Sequence, residues 1–181
     1  MQPTLMKSEI EEDYEDIQMK MKKDDLTNAC NRNYFYTHAR EWLDSLEEDM
    51  CIVTMDITNF KVVNDLFGLE NGDKVLAYVA DELMKLSDSE TFMVARFSGD
   101  DFFFCMTQEE FKKIRFPRRF NTGLNDMEIM VSYGVFLVED RSIPVNIMCD
   151  RASMALHSMG DNSHDSIRYY SESERAKILQ Q

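Results

Sequence analysis

Between Phe92 and Cys105 the chain reads F-M-V-A-R-F-S-G-D-D-F-F-F-C, two apolar runs split by a small flexible pair and two adjacent acids. Each run has the length and residue types of a buried strand. The Ser98-Gly99 pair between them predicts a hairpin, with Gly99 supplying a backbone geometry that other residues resist. A hairpin this apolar must be covered on its faces, so the chain has to build a sheet with helices packed on it. Asp100 and Asp101 then stand at the tip, either as solvated turn residues or as ligands for a cation.

The rest of the pattern supplies those helices. Met6, Ile10, Tyr14, Ile17 and Met21 recur at steps of three and four among charged residues. They predict a helix with one narrow apolar stripe, a coiled-coil seam or a face laid on its own domain. A polar turn from Asp24 leads into a second helix over Arg32–Leu46. The β-branched run Cys51–Ile57 predicts a buried strand. Helices follow over Phe60–Leu66 and Gly72–Leu86, the second with Val75, Leu76, Val79, Leu83 and Leu86 on one face. After the hairpin come a short charged helix (Gln108–Ile114), the basic stretch R-F-P-R-R-F, a long strand within Met127–Val138, a helix over Val145–Met159 and a last strand in S-I-R-Y-Y-S. This mixed order favours an α/β (α+β) sandwich. The organisation read from sequence is a leading helix (1–23), one domain (24–171) and a helical tail (172–181).

Charge and cysteine usage narrow the function classes. A formal net charge of −14 argues against a sequence-blind nucleic-acid binder, which needs a basic face for phosphates. It leaves room for one small phosphorylated ligand if a metal ion offsets the repulsion. No apolar stretch is long enough to span a bilayer and no signal-peptide layout is present, so the expected location is cytoplasmic. Cys30, Cys51, Cys105 and Cys149 form no C-x-x-C pair, and three lie in or beside apolar runs, which predicts reduced structural thiols.

Asp56 closes a strand otherwise made of apolar residues, and a charged carboxylate there needs a sheet edge, a counter-ion or a metal. If the hairpin neighbours that strand, Asp56, Asp100 and Asp101 meet at one edge of the sheet, a set of hard oxygens suited to Mg²⁺ or Mn²⁺ shared with nucleotide phosphates. The plainer alternative makes Asp56 a helix N-cap.

Several segments together resemble one family. S-G-D-D-F is similar to the signature of GGDEF domains, the diguanylate cyclase family. D-D-L-T-N-A-C-N-R-N-Y-F resembles that family's D-x-L-T-G-L-x-N-R-R-x-F opening. M-D-I-T-N-F-K-V-V-N-D-L-F-G-L-E-N-G-D resembles its D-I-D-x-F-K-x-x-N-D-x-x-G-H-x-x-G-D block, and V-S-Y-G and A-S-M-A-L-H follow in order. The resemblance implies a palm-like fold with a central, mostly antiparallel five-stranded sheet flanked by helices. It implies a homodimer that joins two GTP molecules into cyclic di-GMP. Asp56, Asp100 and the backbone carbonyl of Ile57 match the metal ligands, and Asp100 and Asp101 the catalytic acids. Asn64 and Asp73 match the guanine-reading pair; Asn59, Phe60 and Lys61 fall where the β- and γ-phosphates are gripped, and Ser98 and Gly99 where the nucleotide passes the hairpin. Taken without the resemblance, Asn64 reads as a cap or turn residue, Asp73 as a first-turn acid and Lys61 as a solvated lysine.

The departures from the family pattern bear on activity. Ser98 replaces the first glycine of the signature and Asp101 its glutamate. Gly160 and His164 stand where the family has a phosphate-gripping lysine and arginine, and Asp161 and Asp165 add negative charge beside them. Leu69 replaces a histidine. Ser89 and Phe92 replace the arginine and aspartate of the product-inhibition site, so feedback by cyclic di-GMP through that site is not expected. Three functions follow in order of preference: a degenerate domain that binds GTP with Mg²⁺ and regulates a neighbouring domain, a competent cyclase, and a non-binding dimerisation adaptor. Arg118, Arg119 and Arg168 are the cations that could fold back to replace the missing pair. A sensor upstream and a phosphodiesterase downstream are the neighbours the resemblance implies.

Overall fold

The computed structural model describes residues 3–158, 165–172 and 180. In chain order the elements are α1 (Pro3–Lys22), α2 (Arg32–Ser45), β1 (Met50–Ile57), α3 (Phe60–Phe67), α4 (Leu69–Met84), β2 (Phe92–Ser98), β3 (Asp101–Thr107), α5 (Gln108–Lys113), β4 (Arg119–Asn121), β5 (Glu128–Leu137), α6 (Val145–His157) and β6 (Ile167–Tyr169). The sheet runs β2-β3-β1-β5-β4 with antiparallel neighbours, and β6 joins β5 in parallel. The expected mostly antiparallel sheet between helices is thus present, with one strand more than the sequence reading anticipated. That strand, β4, buries only Phe120 between exposed Arg119 and Asn121, so a single inward residue in a basic stretch carried its whole apolar signal.

Alternation along the strands sorts the core into two faces. Cys51, Val53, Met55 and Ile57 of β1 and Phe102, Phe104 and Met106 of β3 pack with Val75, Leu76, Val79 and Leu83 of α4. Met50 and Ile52 of β1 and Phe103 and Cys105 of β3 pack instead with Phe35, Ala39 and Leu43 of α2 and Met148, Cys149 and Ala152 of α6. The same parity assigns Asp56 and Asp101 to the α2/α6 face, where each strand leaves the core. Cys51 and Cys105 are buried and, with Cys149, carry thiols raised by burial, as expected of structural cysteines.

Gly134 of β5 is where α6 comes closest to the sheet: a Cβ there would lie 2.1 Å from the Ala152 carbonyl oxygen. That neighbour is backbone and cannot turn aside. Gly134→Ala is expected to lower stability in urea unfolding by about 1–3 kcal/mol, the usual cost of forcing extra volume into a packed core.

α1 does not lie on the domain. Ile10, Tyr14 and Ile17 remain 63%, 63% and 56% exposed. Its exit is stapled firmly, however. Cys30 donates to Val94 O and accepts from Arg96 N, both at 2.9 Å, so the α1–α2 connection covers part of the outer edge of β2. Of the helical tail, residues 173–179 and 181 lie outside the described residues. No described helix is long and apolar enough to cross a membrane.

Candidate active site at the hairpin edge

β1 and β3 pair in register down to Met55 opposite Phe102. One step further, β1 reaches Asp56 and β3 begins at Asp101, so the two acids leave the core side by side. β2 and β3 are joined through Gly99 and Asp100, with Ser98 opposite Asp101 and an irregularity between Arg96 and Ser98 that passes Phe97. Gly99 has φ +50°, the left-handed region that the turn requires, and the space above its Cα is open. Asp100 is half-buried, while Ser98, Asp101 and Asp56 each keep a solvent-exposed side.

The acids feel one another. Partial loss of hydration, then the Asp100 and Asp101 carboxylates, push the Asp56 carboxyl above the usual aspartate range; His157 and the Ile57 N–H oppose the shift. Asp101 is raised by the same loss of hydration and by Asp100, against the pull of Arg32, Arg96 and His157. Such an aspartate holds its proton more tightly folded than unfolded. Its contribution to stability therefore falls as pH rises through the raised pKa. In chelator, Asp56→Asn is expected to melt at a higher temperature than the parent at pH 7. The difference should shrink as pH drops below the ordinary carboxylate range.

The hairpin is held from behind. Arg96 Nη1 lies 3.0 Å from both oxygens of Asp24, and its Nε donates to Gly99 O at 2.7 Å. Asp24 also accepts from Leu26 N, Thr27 N and the Thr27 hydroxyl, so one carboxylate shapes the D-D-L-T turn and anchors the hairpin arginine. The two side chains are only 12–13% exposed.

On the other side of β1 the chain turns through Thr58, whose N–H donates to Met130 O at 2.8 Å, and Asn59, at φ 56°. α3 then begins at Phe60, buried beneath the sheet end, with Lys61 exposed beside it. The first N–H groups of this helix face away from any intrahelical acceptor, the arrangement that favours an anion. α3 and α4 meet at Gly68 (φ +83°), which ends one helix and starts the other. α4 consequently begins at Leu69, earlier than its apolar stripe suggests. A Cβ on Gly72 would lie 1.8 Å from Asn64 Oδ1. The missing side chain at 72 is what admits the Asn64 amide, and it brings that amide within one residue of exposed Asp73. Sequence spacing does not announce the Asn64–Gly72 approach.

Sequence reasoning assigned no role to Arg32, Arg96, Asp24, His157 or Gly72, although Asp24 and Arg32 lay in the quoted opening motif. His157 Nδ1 donates to Ser153 O at 2.7 Å, which orients the ring at the end of α6. Gly160, Asp161 and His164, the positions of the lost cations, lie outside the described residues. Arg118 Nε donates to Ser166 Oγ and Arg119 pairs with Glu128, both at the β4/β5 side of the sheet.

Among the described residues no group of three or more His, Cys, Asp or Glu forms a ready-made metal site. The donor set still fits a hard cation, because the Asp100 and Asp101 charges push the Asp56 carboxyl up and Asp100 pushes up Asp101, a repulsion that such an ion relieves.

A palm-like α/β sandwich with paired acids at the edge of its central strands defines the class. The family model described as "Diguanylate cyclase, GGDEF domain" matches residues 21–165, and the chain belongs to that family. It is 26% identical over 162 residues to the signaling protein YkoW of Bacillus subtilis, covering 82% of this chain and 20% of that protein. It is 28% identical over 158 residues to the probable diguanylate cyclase DgcT of Escherichia coli, covering 80% and 35%. The chain thus spans from a fifth to about a third of the length of these curated relatives. Among solved structures, the coiled coil and GGDEF domain of Caulobacter crescentus DgcB in complex with c-di-GMP superposes with TM-score 0.75 at 22% identity, covering 92% of this chain and 94% of that one. The Vibrio cholerae LapD S helix-GGDEF-EAL structure, also bound to c-di-GMP, matches with TM-score 0.68 at 17% identity, over 97% and 44%.

Proposed function

We propose that this chain is a degenerate GGDEF-family domain of cyclic di-GMP signalling that binds GTP with Mg²⁺ or Mn²⁺ and regulates a neighbouring domain, with weak or no cyclase activity. The observation that carries this reading is the meeting of Asp56, Asp100 and Asp101 at one corner of the sheet, set against Gly160 and His164 at the positions of the family's cations. Asp56, Asp100 and the Ile57 carbonyl would hold the ion. When bound, it supplies charge stabilisation at the α-phosphate and acidifies the attacking 3′-hydroxyl. Asn64 and Asp73 would read guanine, Lys61 and the N–H groups at Asn59 and Phe60 would take the outer phosphates, and Ser98 and Gly99 would line the nucleotide's path. Asp101 is one methylene shorter than the family's glutamate, a displacement that matters where catalytic geometry must hold within about half an ångström.

A second reading, a competent cyclase acting as a homodimer, is favoured by the retained acids. The exposed α1 stripe offers a seam along which two copies would associate, through Ile10, Tyr14, Ile17 and Met21. Either reading expects the domain to sit beside others, such as a sensor or a phosphodiesterase.

Two measurements test this. Calorimetry with GTP and Mg²⁺ is expected to give binding; no heat at high micromolar concentration leaves only the adaptor. Chromatography of a GTP incubation is expected to show little or no cyclic di-GMP, and accumulation abolished by Asp56→Ala and Asp100→Ala would establish the competent cyclase instead.

A further inference from the structure

The loss of two phosphate-gripping cations leaves a question that rests on the reading above: what offsets a triphosphate at an acidic corner of a chain with net charge −14? The charges bearing on Asp101 identify the elements that reach it. They are Arg96 of β2, His157 at the end of α6 and Arg32 at the start of α2. α2 and α6 cover the same face of the sheet, and Asp101 emerges on that face. The N-terminus of α2 and the C-terminus of α6 therefore converge on the hairpin, and the family's lost cations would follow directly after α6.

Of the cations at this corner, Arg96 is committed. Its guanidinium is shared between Asp24 and Gly99 O in a largely buried pair. Arg118 and Arg119 are engaged at the β4/β5 side. Arg32 differs from all three. It is exposed, has no ion pair among the described residues, and its guanidinium is parked over the Phe97 ring, 5.2 Å from the centroid. Phe97 immediately precedes Ser98-Gly99-Asp100, so this stacking holds a full positive charge beside the hairpin tip without neutralising it. The same guanidinium borders a cleft of about 400 Å³ whose other charged residues are Lys20, Lys23 and the committed Arg96, with Asp24 and Asp25 opposing them. Four cations against two acids leave a local excess of positive charge beside Phe97, the residue that leads into the hairpin tip.

We propose that Arg32, in addition to Lys61, supplies charge that holds the GTP polyphosphate at the hairpin, in place of the cations missing after α6. Recognition is by a planar, bidentate guanidinium reaching the hairpin from the start of α2. The anchoring ring sits on the α2 side of β2, and the cleft behind it adds Lys20 and Lys23 to the field the phosphates would meet.

The test compares GTP and GMP binding by calorimetry with Mg²⁺ for the unmodified chain, Arg32→Gln and Arg32→Lys. Arg32 is exposed and α2 is capped by Asn31, so both variants are expected to melt like the parent. Arg32→Gln should weaken GTP binding about ten- to a hundredfold, the range for losing one charge-assisted contact, with GMP little affected and Arg32→Lys recovering part of the loss. Unchanged GTP affinity in Arg32→Gln overturns this proposal and leaves the nucleotide reading intact. Equal losses for GTP and GMP overturn it too, since the residue would then act on something other than the outer phosphates. Failure of the unmodified chain to bind GTP brings down the proposed function itself, and this inference with it.

Discussion

Arg96→Met is expected to cost about 3 kcal/mol in urea unfolding, at the lower end of the range for stripping one partner from a buried ion pair. The change leaves Asp24 charged at 12% exposure with only the turn's own donors around it. It also removes the 2.7 Å bond from Arg96 Nε to Gly99 O, so the damage should extend to the hairpin tip that carries Asp100. A double-mutant cycle with Asp24→Asn separates this from a packing effect. If the two residues act as one clamp, the double variant loses much less than the sum of the singles. Fully additive losses would mean that the pair does not couple the D-D-L-T turn to the hairpin.

Gly72→Ala is expected to separate recognition from stability. The added methyl would overlap Asn64 Oδ1, the far end of a side chain that can rotate away, so the fold gives way cheaply. Alanine is also the better helix former by about 1 kcal/mol, which offsets part of any strain in α4. The displaced amide no longer faces the position beside Asp73. GTP affinity should fall about tenfold or more, as in Asn64→Ala, through loss of hydrogen bonds to the base, while the melting temperature stays close to that of the parent. Parent-like GTP affinity in Gly72→Ala would remove Asn64 from the binding account.

These predictions concern contacts that no local pattern announces. Elements with strong periodicity were legible: β1, the β2–β3 hairpin, α2 and the long β5 fall within a residue or two of where apolar spacing puts them. Asp56 as the last exposed residue of a buried strand was legible for the same reason. The pairing of Arg96 with Asp24 spans 72 positions and depends on the α1–α2 connection adding itself to the edge of β2, which sequence spacing does not encode. Arg32 reaches the hairpin only because strand parity turns Asp101 toward the α2/α6 face. Asn64 meets Gly72 only because Gly68 folds α4 back on α3. Short β4 hid behind three arginines and a proline. The site's membership was therefore read from motif resemblance, while its internal support becomes visible only with the sheet assembled.

The claim on which the functional account stands is that Asp56 and Asp100 together hold one divalent ion for a guanine nucleotide. Electron paramagnetic resonance of Mn²⁺ titrated into the chain with GTP reads that directly, independent of turnover. The account predicts one bound Mn²⁺ per chain, lost in Asp56→Ala and in Asp100→Ala but kept in Ser89→Ala, away from the hairpin. Mn²⁺ bound equally by the parent and both aspartate variants would contradict it.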